Sequence, residues 1–550
     1  MIHIKCLSVS CMAKKNEDFS DTTILHFLGF FSFLVLPFSY APGAMDPPYH
    51  LRFVLWSFLS LVLGLWIFSQ KQVQALFVSM LYRRIYWVGG GGLLMATVSL
   101  VHCVNMAEGV FVWFGFFLAG GFFFICSQIL YAYPNGVLIL SYWALACGIG
   151  LVALGLMGQY WNLALSGSFF FKGIMMNKNL YASALFLFIP FVVHSLVSGH
   201  KIASRAAAIF LPVLCITILL SLSRAVWLAL FFAAVPVALL AGERKKNVKN
   251  FIKKGILFAL LLLSLFWICF FLPQSLKNSE TVQLRLNLWS RTVQMIRNNL
   301  LLGVGPGQWR LMLPKYGHPL EINGSGGKVE IIAQRPHNDF LWVTAETGVL
   351  GGTCYLLFFG ILYFYAIKVV ARAGPGQKSL VLAMVYGISG YLIIALFSYP
   401  RERPLHSLLV MLMAAVVVSS YHRLYPVKIK GDRGGSMGLG GALKSIMVIL
   451  LMACCLGSGL RLYSEVQLKK ALQARARGEW HQVIAHIDRV FLSVYSIDPF
   501  GVPLPWYSGM AHYNNHDFPM AIKSFRQALG YHPHHDHSLN NLAVLSEMKK

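Results

Sequence analysis

Apolar residues fall into long uninterrupted runs along most of this chain, and a helix needs about 20 of them to cross a hydrocarbon layer. Thirteen such runs lie near 23–42, 51–69, 85–106, 109–131, 136–158, 178–198, 206–222, 224–241, 255–272, 346–367, 379–398, 405–421 and 442–460. Only Ser223 separates the seventh from the eighth. Together they are too long for one crossing, so they read as a hairpin of two helices. Short polar turns join most runs; the exception before the tail is 273–345. Beyond 460 the long runs stop, and apolar positions recur at the 3.6-residue helical spacing of a water-facing domain. The pattern predicts an all-α polytopic transmembrane helix bundle. Its parts are a terminal segment 1–22, a membrane domain 23–460 with a long loop at 273–345, and a helical tail at 461–550.

Composition agrees. Hydrophobic residues make up 57%, charged residues only 12%, and the mean hydropathy is +0.63. A soluble globule carries about 25% charged residues, so a soluble enzyme, a disordered chain and a secreted disulfide scaffold are excluded. The net charge of +26 would point to nucleic acid in a soluble protein. Here topology accounts for much of it, because Lys and Arg stay on the cytoplasmic side. With the N-terminus inside, the inner segments hold 22 of the 46 basic residues and the short outer connections only six. The remainder lie in the 273–345 loop and the tail, where this rule has little force. Thirteen crossings put both loop and tail outside. No nucleic-acid partner is needed. Residues 1–22 lack the apolar core of a signal peptide, and MAKKNEDFSD from Met12 reads as an ordinary cytoplasmic start. Eight of ten cysteines fall in spans, giving no disulfide framework or cysteine metal site.

Polar chemistry gathers on the outer side. QLRLNLWSRTVQMIRNN (283–299) reads as a basic amphipathic helix lying at the membrane surface, with Leu284, Leu288, Val293, Met295 and Ile296 set among Arg285, Arg291 and Arg297. GVGPG (303–307) permits a tight turn or close backbone approach to a ligand. In QRPHNDFLWVTAETGVLGG (334–352), Pro336 directs the chain, Asn338 or Asp339 caps a helix, and Glu346 lies about two turns further on. Gly348, Gly351 and Gly352 leave room for another helix.

These segments carry a resemblance. The run from Arg285 and Trp289 through GVGPG to HNDFLWVTAETGVLGG is similar to the O-antigen ligase and O-antigen polymerase superfamily of integral membrane glycosyltransferases. FFKGIMMNKNLYASAL (170–185) and SLSRAVWLAL (221–230) resemble two further motifs of that family, and the likeness spans roughly 170–400. It implies transfer of a glycan from an undecaprenyl-diphosphate-linked donor to an acceptor hydroxyl at the periplasmic face. Lipid A core, a growing glycan and protein all remain open as acceptors.

The resemblance carries the family's arginines to Arg224 and Arg285 and its histidine to His337. Arg224 also stands out unaided, since an arginine at mid-membrane costs about 2.5–3.5 kcal/mol on insertion scales, and less near the edge. It either snorkels to headgroups or meets an anionic ligand. Arginine grips phosphate with a planar fork of donors; histidine suits proton transfer near neutral pH. His337 therefore has two open roles, general base or protonated phosphate ligand. Glu346 would orient His337 or an arginine. Asn338, Lys172, Asn179, Arg401 and Arg403 would help hold the substrate, against interfacial anchoring as the plainer alternative. No cofactor is implied, and the sparse carboxylates offer no metal pair. HPHHDH (532–537) reads as a solvated turn between helices.

In the tail, Gly509, Ala521, Phe525, Ala528 and Pro533 occupy the signature positions of a 34-residue tetratricopeptide-like repeat. A looser copy lies at 465–499. Such a tail can bind a protein partner. A lipid-linked glycan flippase would place ionisable groups at mid-membrane, whereas these spans are nearly charge-free. A purely scaffolding protein leaves Arg224, Arg285 and His337 unexplained.

Overall fold

The computed structural model describes residues 19–70, 83–166, 173–175, 177–241, 280–317, 320–324, 327–331, 333–426 and 436–547. Within them lie 11 helices long and apolar enough to cross a membrane: Tyr49–Ser69, Arg84–His102, Met106–Ala132, Gly136–Tyr160, Lys178–Val197, Lys201–Leu220, Arg224–Ala241, Asp339–Arg372, Pro375–Phe397, Pro404–Leu424 and Gly441–Ala476. A shorter apolar helix, Thr22–Phe38, matches the first expected span. The expected span 255–272 falls outside the described residues. The protein is thus an all-α polytopic bundle, and among the described residues the one sheet is a small antiparallel hairpin, Leu320–Gly324 against Gly327–Ile331, within the long loop.

Lipid cannot hydrogen-bond the backbone, so the chain satisfies it inside helices, and the bundle forms where they pack. Pro404–Leu424 and Lys178–Val197 are the most enclosed; Arg84–His102 and Gly441–Ala476 lie at the rim. Arg84–Ser99 meets Asp339–Arg372 where Gly91 and Gly92 leave room for Cys354. The expected hairpin at Ser223 is broken at Leu222, whose φ is 53°. Its two helices then take different partners, Lys201–Leu220 packing on Lys178–Val197 and Arg224–Phe232 on Pro375–Phe397.

Contacts join the connections expected to share a side. Arg423 Nη1 donates to Leu130 O at 2.6 Å, and Arg83 to Tyr425 O. In the other set, Arg403 Nη1 meets Asp46 Oδ2 at 2.7 Å, and His102 Nδ1 bonds Gly303 O at 2.8 Å.

No break marks residue 460. Ser436–Ala476 is one helix of 41 residues that runs from the bundle into the tail. There Trp480–Ile487, Leu504–Asn514, Phe518–Tyr531 and Asp536–Glu547 pack in succession. Ala521, Phe525 and Ala528 are fully buried, and Phe525 lies against Gly509. The expected solvated turn at HPHHDH is a turn, with Pro533, Asp536 and His537 exposed, but two of its histidines turn inward. His532 and His535 are each only 6% exposed, and the His535 and His537 rings face Trp506 at 5.9 and 6.0 Å. Burial pushes His532 down to about 3 and His535 to about 4. Two neutral imidazoles here fill space.

Candidate functional site

His337 sits at the mouth of Asp339–Arg372. Asn338 caps that helix, its Oδ1 accepting from Leu341 N at 3.0 Å. His337 takes the left-handed backbone, φ 56°, a conformation non-glycine residues hold only when their surroundings enforce it. Those surroundings are identifiable. Trp289 Nε1, from the Glu280–Asn298 helix, donates to Pro336 O at 2.9 Å. Arg335 forms a two-pronged pair with Glu402, its Nη2 donating to Oε1 at 2.6 Å. The Tyr399 ring meets His337 edge-on at 5.3 Å and carries the Arg335 guanidinium 4.7 Å above it.

The electrostatics link this corner to the arginines. Burial, then Arg285 and Arg335 beside it, pushes the His337 imidazole down to about 4, against a smaller upward pull from Glu402. Burial and then Arg224 lower Arg285; Tyr399 acts the other way. Arg224, Arg285 and His337 therefore lie close enough to act on one another in sequence, although 113 residues part the first from the last. Glu402 is the opposite case. Burial alone would raise its carboxyl, but Arg335 and Arg403 outweigh that and hold it at about 2.

Glu346 is elsewhere. Fully buried, its Oε1 accepts from Trp342 Nε1 at 2.8 Å and from Trp309 N at 3.4 Å, and its Oε2 lies 3.9 Å from Arg401. It therefore faces an arginine, as one expectation had it, and does not touch His337. Arg401 and Arg403 both stand against groups of the protein itself. Arg401 is held between the Phe116 and Trp342 rings, each at 4.9 Å, with its backbone N donating to Asp339 Oδ2 at 2.9 Å. Arg403 pairs with Asp46. The two expected substrate arginines thus stand beside carboxylates and rings of the protein, and Arg401 also lines a large cavity in the bundle. Asn179 lies in the first turn of Lys178–Val197, its backbone N donating to the cap, Asn177 Oδ1, at 2.8 Å, and Lys172 lies outside the described residues.

One further expectation is corrected and another is narrowed to its first alternative, a turn. The Glu280–Asn298 helix does not lay its apolar stripe on the membrane surface. Leu288, Thr292 and Met295 are buried, the helix packs on Asp339–Arg372, and Trp309 Nε1 donates to Thr292 Oγ1 at 3.0 Å. GVGPG approaches the protein's own backbone, with Val304 N to Ala345 O at 2.9 Å and Gly305 N to Glu346 O at 3.0 Å. That contact is admitted by a break within Asp339–Arg372 at Gly348, φ 72° and ψ 176°, a region open essentially to glycine alone. A Cβ there would stand 2.0 Å from Leu301 O. Gly348→Ala should therefore cost about 3 kcal/mol or more, read as a lower unfolding temperature in detergent. Gly360→Ala, where a Cβ meets nothing within 4 Å, is the control and should change little.

Sequence reasoning missed Arg335, Tyr399 and Glu402. Each had a signal in QRPHND and SYPRERPLH, where the arginines flanking Glu402 were weighed and the tyrosine and glutamate were not.

Fold and site together define a polytopic helical membrane protein that gathers arginines and a neutral imidazole beside one end of its bundle. Among the described residues no group of His, Cys, Asp and Glu is placed to hold a metal ion. Residues 207–356 match the family described as O-antigen ligase, so this stretch of the chain is similar to the O-antigen ligases. That stretch contains Arg224, Arg285, His337, Asn338 and Glu346, and ends before Arg401 and Arg403. No curated protein matches the chain.

Proposed function

We propose that the protein transfers a preassembled glycan from an undecaprenyl diphosphate carrier to an acceptor hydroxyl, at the periplasmic face of the inner membrane, in the manner of an O-antigen ligase. The observation that carries this is the mutual electrostatic reach of Arg224, Arg285 and His337. Two guanidinium groups held near each other favour an anion. Among the described residues, the neighbours that act on Arg285 are Arg224 and Tyr399, not a carboxylate. The alternation of Lys and Arg between connections supports the periplasmic side for this corner.

The chemistry follows from the residues. The acceptor oxygen attacks the anomeric carbon and the carbon–oxygen bond to the diphosphate breaks. His337 Nδ1 or Nε2 takes the hydroxyl proton, and undecaprenyl diphosphate leaves with its charge held by Arg224 and Arg285. In the empty site His337 is neutral, so it can accept a proton. The arriving diphosphate offsets the neighbouring cations and strengthens it as a base, so full basicity comes only with donor bound. The neutral imidazole favours this role over that of a standing phosphate ligand.

Reconstitution with an undecaprenyl-diphosphate-linked oligosaccharide and separate acceptors tests the reading by product mass. Attachment to lipid A core is expected; chain growth or a glycosylated protein would instead make it a polymerase or a protein glycosyltransferase. No transfer to any acceptor, with donor moved across the bilayer, would make it a flippase. Arg224→Ala and Arg285→Ala should each lower kcat by about 10²–10³ with normal accumulation. Arg224→Lys should also fail, because a point charge lacks the two-pronged grip. Full activity of the lysine variant would reduce the requirement to charge alone. In the tail, the packing of Phe525 on Gly509 supports a tetratricopeptide-like helix pair and, with it, a protein partner.

A further inference from the structure

Each of the three residues ahead of His337 is pinned by a different part of the chain. Pro336 is held by Trp289 and Arg335 by Glu402. Gln334 is held by the tail: its Nε2 donates to Phe500 O at 2.7 Å. Phe500 lies on a built turn. Ile497 and Pro503 face each other as a β-bridge. The Asp498 carboxylate inside the turn accepts from Phe500 N and Val502 N, each at 2.8 Å, and from Tyr507 Oη at 2.7 Å. Gly501 takes φ 90°, and a Cβ on it would stand 3.2 Å from Gln334 Nε2.

The turn is anchored to the bundle by further contacts, and Arg310, which makes two of them, also donates to Gln334 Oε1 at 3.5 Å. Arg310 donates to Asp498 O at 3.1 Å and to Glu108 Oε2 at 2.9 Å. Arg461 joins the same Glu108 to Val494 O at 2.6 Å. Asn105 Nδ2 reaches Ser496 Oγ at 2.9 Å and Tyr531 O at 3.1 Å. The tail thus presents one carbonyl, from a rigid loop on a fixed base, to the segment that carries the histidine.

We infer that the tail turn 497–503 is part of the transfer machinery, with Gln334 and Gly501 acting as positioning residues that hold His337 in its left-handed backbone. The inference rests on the reading of His337 as the base. Its consequence is that the tail is required for turnover itself, whatever else binds there. A misplacement of about 1 Å at a reacting group can cost about a hundredfold, which a single lost tether is enough to allow.

The test uses the full-length protein in liposomes with undecaprenyl-diphosphate-linked oligosaccharide and the acceptor that supports wild-type transfer. Gln334→Leu removes the donor to Phe500 O; Gly501→Ala strains the turn and crowds the amide. Both should lower kcat by about ten- to a hundredfold, with KM for the donor within about twofold, because Arg224 and Arg285 are untouched. The acid limb of kcat/KM should also move upward, as a loosened His337 leaves its burial and its two cations. Lys523→Ala, at an exposed position of Phe518–Tyr531, should match wild type. Wild-type kcat in both variants overturns the inference, and so does a lower kcat with an unmoved acid limb, which is the mark of mere loss of folded protein. If Gly501→Ala fails to accumulate, Gln334→Leu decides, since Gln334 lies outside the tail. Should His337→Ala itself stay active, the function reading falls instead.

Discussion

Replacing His337 with alanine should abolish glycan transfer, lowering kcat by about 10²–10⁴, while the protein inserts and accumulates normally. Accumulation should survive because the ring makes one edge contact with Tyr399, and the helix behind it is capped by Asn338. The pH dependence distinguishes a base from a cationic ligand. kcat/KM reports the free enzyme, in which His337 lies at about 4. It should therefore stay level as pH falls from 8 to 5 and drop only near 4. kcat reports the donor-bound enzyme, in which the diphosphate offsets Arg285 and Arg335, so its acid limb should lie at higher pH. A phosphate-binding imidazolium predicts the reverse, with activity rising as pH falls through the pKa. The same shift governs stability. The unfolded histidine, near 6.5, binds a proton that the folded one does not, so stability falls as pH drops from about 6.5 towards 4 and is unaffected above.

How much of this was legible depended on how far each residue's partner lay along the chain. The spans were, because a run of 20 apolar residues has few other uses in water or lipid. Arg224 and His337 were visible because each interrupts an apolar pattern at a helix end, and the resemblance supplied Arg285. What failed was pairing. Arg401 and Arg403 have the composition of a phosphate site, but local sequence does not show that Asp46, 357 residues from Arg403, bonds one and that Glu346 stands 3.9 Å from the other. The stripe on Glu280–Asn298 was read correctly as a stripe. Periodicity says that a face is covered without saying by what, and here protein takes the place assigned to membrane. Gly348 was noticed for helix packing; the dihedral that breaks the helix there depends on the 300–305 loop folding against it, which local sequence does not encode.

Glu402 shows what those distant pairings imply for the chemistry. Among the described residues it is the one carboxylate bonded to Arg335, it lies beside Arg403, and it alone of the groups acting on His337 raises that imidazole. Glu402→Gln should have two effects from one lost charge. Breaking a buried ion pair costs about 3–5 kcal/mol, because the remaining partner stays buried without compensation. Glutamine keeps a hydrogen bond, so the fall should sit near the lower end of that range, read as a lower unfolding temperature in detergent. Second, with two cations less neutralised, His337 should fall further below 4 and become a weaker base. kcat should drop about tenfold, less than on deleting the histidine, since Brønsted dependence is shallower than removal, and the acid limb of kcat/KM should move down. Glu402→Asp, with the charge kept on a shorter arm, should recover the limb before it recovers the stability. Unchanged unfolding together with an unmoved limb would mean that Arg335 draws its compensation from elsewhere, and that the segment leading to His337 is not held by this pair.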